Sequence, residues 1–304
     1  IGDSSSGEMY IDGVNLAHIS GGVTLSSSGS NGSVEFGTGD TTLKLATINA
    51  GDGITINGNV TTEFPSTFNA DYDENGSGTF TMAQLKGLSS SNNASIAIAA
   101  NDISISGSIN SGTGSTTIAV SDGGTIGLGG TSGNMTIDGT ELSKITAGTL
   151  NIGNSSTGNI TVDGISAANS NNVSAVNLTA ANGSSVSFSN NDSTFNALTV
   201  SGGSTSFGSG LTVATDTGKF ALNSSSITSV GALTLTGATG IDFGAGVVFT
   251  GGGDVSMSTN SGDLVGAGAF TLTSTGNISL SENLTTAGTT VIATDSDGNG
   301  AGDF

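Results

Sequence analysis

At 304 residues the chain could make one large domain or two ordinary ones. Only 9% of it is charged, against roughly a quarter in a typical soluble domain. The charge that exists is lopsided: four lysines (Lys44, Lys86, Lys144, Lys219) and no arginine leave a net charge of −20, which excludes a phosphate backbone as a partner and disfavours anionic membrane surfaces.

From Met9 onward, apolar residues come in short alternating pulses separated by Gly, Asn, Ser or Asp. The first half of the chain carries Met9-Tyr10-Ile11, Val23-Thr24-Leu25, Val34-Glu35-Phe36, Ile54-Thr55-Ile56, Ile96-Ala97-Ile98 and Ile103-Ser104-Ile105. The second half continues with Ile160-Thr161-Val162, Val186-Ser187-Phe188, Leu233-Thr234-Leu235, Val255-Ser256-Met257, Phe270-Thr271-Leu272 and Ile278-Ser279-Leu280. Alternation of this kind predicts strands. Helix is disfavoured, because Gly, Ser, Thr and Asn fill the places between the apolar residues. Strands this short do not hold as isolated hairpins and must stack on neighbours.

The single proline, Pro65, suits a fold whose backbone N–H groups are nearly all used in ladders. A sandwich would carry longer strands, more aromatic core and several prolines; here aromatics are 5%, without tryptophan. Regular pulse spacing instead predicts an all-β parallel solenoid. With about 20–25 residues per coil, roughly a dozen to fifteen coils result, and at ~4.8 Å per coil a rod of about 60–70 Å. Inward Val, Ile, Leu and Ala would stack on their equivalents in neighbouring coils, with outward Ser, Thr and Asn forming neutral ladders and Gly and Asn taking corners at positive φ.

Two repeats are legible residue by residue. Met9–Ile19 (Met-Tyr-Ile-Asp-Gly-Val-Asn-Leu-Ala-His-Ile) aligns with Met135–Ile145 (Met-Thr-Ile-Asp-Gly-Thr-Glu-Leu-Ser-Lys-Ile), with fainter echoes of its Leu-x-x-Ile end at Leu85/Leu88 and Ile227/Val230. Asp71–Phe80 aligns with Asp295–Phe304. This second repeat holds the strongest chemical signal: Asp71, Asp73 and Asn75 before Gly76, and Asp295, Asp297 and Asn299 before Gly300, match the first half of a calcium loop, with Asp303 a further oxygen donor in the second copy. Met82 stands where the twelfth-position Glu of such a loop would be. The competing reading is an Asx-rich turn at a solenoid corner. Ca2+ is the only cofactor the residues suggest.

Other chemistry is sparse. His18, the one histidine, aligns with Lys144 in its repeat and reads as a solvated corner. Without Arg or Trp, nothing clamps or stacks a sugar beside any carboxylate pair, so no catalytic residue is assigned and no enzymatic activity is expected. Asn31, Asn59, Asn159, Asn177 and Asn283 head Asn-x-Ser/Thr triplets, which a chain this rich in those residues produces by chance. No apolar run of about 18 residues marks a membrane span, so membrane insertion is not expected. No leader is evident before Ile1, and the second Asp-rich repeat ends at Phe304 where the first begins its next strand; the expectation is one continuous solenoid, residues 1–304, cut from a longer chain.

Glu141–Gly153, running on through Thr157-Gly158-Asn159-Ile160-Thr161-Val162, resembles the repeat of filamentous-haemagglutinin-type bacterial exoproteins, and the Asp71–Phe80 and Asp295–Phe304 segments resemble a second element of those proteins. The resemblance implies a right-handed β-helix, secretion to the bacterial surface, and a role in adhesion or biofilm structure. The expected function is therefore a structural or adhesive rod of an extracellular protein, its partners being copies of itself end to end and surface glycans or proteins of a host or matrix. A subunit of a self-assembling extracellular filament is the alternative, and a polysaccharide-processing β-helix enzyme a weaker one.

Overall fold

A computed structural model describes residues 1–300 and 302–304; Ala301, which falls inside the second Asp-rich repeat, lies outside the described residues. The chain is a β-solenoid of about 13 turns of parallel stacked strands, with only 3% helix. Each of the twelve pulses is a strand or lies inside one. Side chains of a strand alternate between its two faces, and burial follows: Ala46, Ile48 and Ala50 are buried while Thr47 and Asn49 are not. Two compact units divide the chain.

The first unit comprises Ile1–Ile126, Ser132–Thr157 and Asn172–Ser174. Its coils build three parallel ladders. On the first ladder Ile11, Phe36, Ile56, Met82 and Ile105 stand in register. On the second, Thr41, Val60, Leu88, Ile109 and Ile145 do. The third stacks Leu25, Ile48, Phe68, Ile98, Ile118 and Ile152. These three columns meet as the core: a β-branched or Leu side chain stacks on its own kind one strand spacing away, and Phe68 meets Phe80 edge to face at 6.2 Å.

The second unit comprises Gly127–Thr131, Gly158–Asn171 and Ala175–Phe304. It repeats the scheme with other columns, such as Val176, Leu198, Phe220, Ile241, Leu264 and Leu284. A neighbouring column shows how volume is traded along a stack. Val162, Phe188 and Phe207 give way to Ser229, Gly251 and Ser274; the two rings stack 5.1 Å apart, and Phe249 is buried in the adjacent column. Large and small residues thus compensate one another so that a narrow core stays filled.

Three features depart from the sequence expectation. Ser and Thr do not all face outward. Thr41, Thr116, Thr205, Thr215 and Ser274 are buried. Some of their hydroxyls bond within a turn, as Thr215 Oγ1 does to the carbonyl of Gly218 at 2.7 Å and Ser111 Oγ to Thr116 Oγ1 at 2.9 Å, and others reach a neighbouring coil, as Thr205 Oγ1 does to Ser224 Oγ at 2.8 Å. A hydroxyl is tolerated in the core where a turn or a neighbouring coil offers it a partner; Thr62 Oγ1 is buried without one. Many glycines, moreover, are required for lack of room and not for φ: a Cβ on Gly51 would overlap the carbonyl of Gly29, and one on Gly78 that of Ala70.

The Met9–Ile19 and Met135–Ile145 repeats also diverge. Gly139–Leu142 is a single helical turn with a capping box, Asp138 Oδ1 accepting from Glu141 N at 2.8 Å and Glu141 Oε2 from Asp138 N at 3.0 Å. In the earlier copy Asn15 takes the place of Glu141, and Asn15–Leu16 is a strand. Asn at the third position does not by itself forbid a capping box, since Asn169 Oδ1 accepts from Ser166 N at 2.9 Å in a second helical turn. In the first copy the Asp12 side chain is engaged by the next coil instead, accepting from Gly39 N. The echoes do not persist either: Leu85 is 92% and Val230 77% exposed, while Leu88 and Ile227 are buried.

Candidate functional site

The two Asp-rich loops fold alike. In the first, Asp71 C=O accepts from Glu74 N at 3.2 Å, Asp71 Oδ2 from Gly76 N at 3.3 Å, and Asn75 Nδ2 donates to Asp73 Oδ2 at 2.8 Å. In the second, Asp295 C=O accepts from Gly298 N at 2.9 Å, its carboxylate from Gly300 N at 2.9 Å, and Asn299 Nδ2 donates to Asp297 Oδ2 at 2.8 Å. The glycines at the sixth position sit at φ +79° and +81°, where a side chain is disfavoured. A sequence spacing chosen for metal ligands is here also the spacing of a hydrogen-bonded turn.

The loop hydrogen bonds separate the named residues instead of gathering them. Asp71 is fully buried, and Ser121 Oγ donates to its Oδ2 at 2.6 Å from a later coil. Its Oδ1 has no hydrogen-bond partner. Asp73 and Asn75 are exposed and bonded to one another. In the second loop Asp297 and Asn299 are exposed in the same way. Asp303 is exposed and tied elsewhere, its N–H to Asn277 Oδ1 at 2.9 Å and its C=O to Ile278 N at 3.0 Å. Met82 belongs to the core. Among the described residues no three His, Cys, Asp or Glu side chains converge as a metal site would require. Oxygen donors for Ca2+ would have to come from Asp71 with backbone or amide oxygens, or from the exposed Asp73/Asn75 and Asp297/Asn299 pairs after their mutual bonds open.

The remaining singled-out residues have plain positions. His18 is exposed in a turn, as is the aligned Lys144. Two sequon asparagines serve the stack: Asn59 bonds Asp40 Oδ1 through Nδ2 at 2.9 Å and accepts from Gly87 N at 3.1 Å, and Asn159 accepts from Ser185 N at 3.0 Å. Neutral ladders of the expected kind join Ser187 to Ser206 at 2.9 Å, Thr236 to Ser258 at 3.2 Å and Thr117 to Asn151 at 3.2 Å.

Sequence reasoning overlooked one carboxylate. Glu141, half-buried beneath its helical turn, also accepts from Ile105 N at 2.9 Å through Oε1. Burial pushes its carboxyl above the ordinary value, while the N–H groups of Ile105 and Asp138 pull the other way and the nearby Asp138 and Asp102 charges add to the rise. The readable signal was the Asp-x-x-Glu capping box at Asp138.

Fold and corners define a parallel β-solenoid whose polar groups are mostly consumed by its own coils. No family model matches the chain, and no curated protein and no solved structure matches it. No helix among the described residues is long and apolar enough to cross a membrane.

Proposed function

We propose that this chain is a structural, adhesive rod segment of a large bacterial cell-surface or secreted exoprotein. The observation that supports this reading is the coil-on-coil register, in which buried columns hold the coils together while hydroxyls and amides bond one coil to the next. Such a fold is stable as a sum of nearest-neighbour interfaces, and its many hydroxyls and amides present hydrogen-bonding groups to glycans or proteins of a host or matrix, on a chain whose net charge of −20 disfavours strongly anionic partners. Its work is extension and presentation, with no catalytic step. The Asp-rich loops act as turn locks, with Ca2+ as a weak exchangeable ligand of their exposed oxygens.

One observation favours a second reading, the filament subunit. The ladders are parallel and in register from coil to coil, and strand pairing of this kind can continue between copies of the chain. Electron microscopy of the purified chain with a cell-binding assay separates the two. Isolated rods that bind monolayers support the adhesive scaffold; ribbons of constant helical register that do not bind would overturn it in favour of the filament.

A further inference from the structure

The four lysines are not equivalent. Lys219 Nζ pairs with Asp242 at 2.8 Å. Lys44 Nζ donates to the carbonyl of Ile19 at 3.1 Å and lies 5.9 Å from the Phe64 ring centroid. Among the described residues Lys86 and Lys144 have neither ion pair nor hydrogen bond on Nζ, in a chain with 24 acidic residues. Both face the same depression in the first unit.

That depression consists of two adjoining hollows, of about 270 and 580 Å³, which share Gln84, Ser106 and Lys144. Leu85, Lys86 and Ser108 complete the smaller, and Asp138, Thr140 and Glu141 line the larger. The larger hollow falls in the range of ligand pockets, ~300–1,000 Å³, and the smaller lies just below it. Its walls are rigid because the ladder fixes them. Lys86 C=O accepts from Ser108 N at 2.8 Å and Lys144 C=O from Ile109 N at 3.0 Å. Ser108 aligns with Gly87 on one side, and Ile109 with Ile145 on the other. The two lysines are thus two coils apart, about 10 Å along the stack, close enough for their flexible stems to bring both ammoniums to one anion.

Leu85 gives an independent sign. It holds φ +63° with 92% of its surface exposed, at a turn where Lys86 N bonds Ala83 C=O at 3.3 Å. A bulky residue in the left-handed region is a strained outlier, and strain of this kind collects at ligand sites. Nothing in the fold requires leucine there, where glycine would sit without strain.

The geometry points to a binding site for an acidic saccharide, a uronate-type sugar whose carboxylate lies between Lys86 and Lys144. Its hydroxyls would meet Gln84, Ser106 and Thr140, and donate to the carboxylates of Glu141 and Asp138. Those carboxylates choose among anions. They already accept backbone N–H groups, yet retain lone pairs for a sugar O–H, which the side chains of an acidic peptide do not offer. Leu85 would cover an apolar face of a ring. This site lends a ligand class to the adhesive half of the proposed function and rests on that reading for its setting only.

Calorimetric titration of the purified chain with trigalacturonate, maltotriose and tetraglutamate tests it. Trigalacturonate should bind at least tenfold tighter than either comparison ligand and weaken as salt rises. Lys86→Gln and Lys144→Gln should each weaken it about fivefold or more, with unchanged circular dichroism. Leu85→Gly should weaken binding while the melting temperature stays level or rises, which a merely structural leucine would not do. Equal affinity for maltotriose, an unaffected Lys86→Gln/Lys144→Gln double variant, or preference for tetraglutamate would overturn the site. Any of these would leave the scaffold reading standing, because that reading is judged by imaging and cell binding.

Discussion

Residues 71–80 and 295–304 are one decapeptide pattern in two settings. Their internal hydrogen bonds coincide, from the Asp carbonyl to the glycine N–H, and both hang from the preceding coil by the same bond, Tyr72 N to Ala50 C=O at 2.8 Å and Ser296 N to Ser274 C=O at 2.9 Å. What differs is the cover. Asp71 and Phe80 are wholly buried, with Ser121 and Ile103 of later coils against them, whereas Asp295 is partly open and Phe304 is 77% exposed. A turn is satisfied by its own ten residues; a core position exists only when another coil lies on it.

Truncating the two phenylalanines should expose that difference most. Phe80→Ala removes a buried ring and is expected to cost ~3–5 kcal/mol, against about 0.5 kcal/mol or less for Phe304→Ala; chemical denaturation of both variants reads the gap. Equal losses would mean that Phe80 is not core. Next comes Ser121→Ala, which strips the Asp71 carboxylate of its side-chain donor at 2.6 Å. A hydrogen bond to a charged group is worth about 1.5–3 kcal/mol, and the loss should shrink in an Asp71→Asn background, as a double-mutant cycle would record.

The glycines should erase the contrast. At Gly76 a Cβ would meet only Asp122 Oδ2 and Asn101 Oδ1, at 3.6 and 3.9 Å, and at Gly300 nothing within 4 Å. Gly76→Ala and Gly300→Ala therefore both carry only the left-handed backbone cost, roughly 1–2 kcal/mol. Unequal melting shifts beyond that range would show the loops to be less alike than their bonds. Calcium should have the smallest effect. To bind the exposed oxygens it must open the Asn75–Asp73 or Asn299–Asp297 bond, so an affinity of about 10⁻⁴–10⁻³ M, as in weak extracellular sites, is expected. In 5 mM Ca2+ the melting temperature should rise by only a few degrees at most, and Asp73→Ala together with Asp297→Ala should abolish the rise. No rise over Mg2+ assigns these loops to hydrogen bonding alone.

Much of the architecture was legible because a solenoid writes its period into the chain. Ile54-Thr55-Ile56 and Phe270-Thr271-Leu272 could be placed as strands from alternation alone, since one residue in two must face a core whichever coil it joins. The Asp-rich corners were legible as turns for the same local reason, and so was the solvated place of His18. Ser111, Thr205 and Thr215 were not legible as buried, because a hydroxyl's partner, here Thr116, Ser224 or the Gly218 carbonyl, is set by the path of the coil and not by the residue's own polarity.

Sequence by itself determined the class of fold: the strand period and the shape of each Asx turn follow from interactions within a few residues, and the scarcity of proline leaves the ladders their backbone N–H groups. Tertiary structure alone decided that a later coil buries Asp71 and gives it the Ser121 hydroxyl, and which two of four lysines come to share one hollow. Lys86 and Lys144 lie 58 positions apart in the chain, and no local rule relates them. They meet at one corner because coil lengths between them bring Gly87, Ser108 and Lys144 into register, a sum over every turn that intervenes.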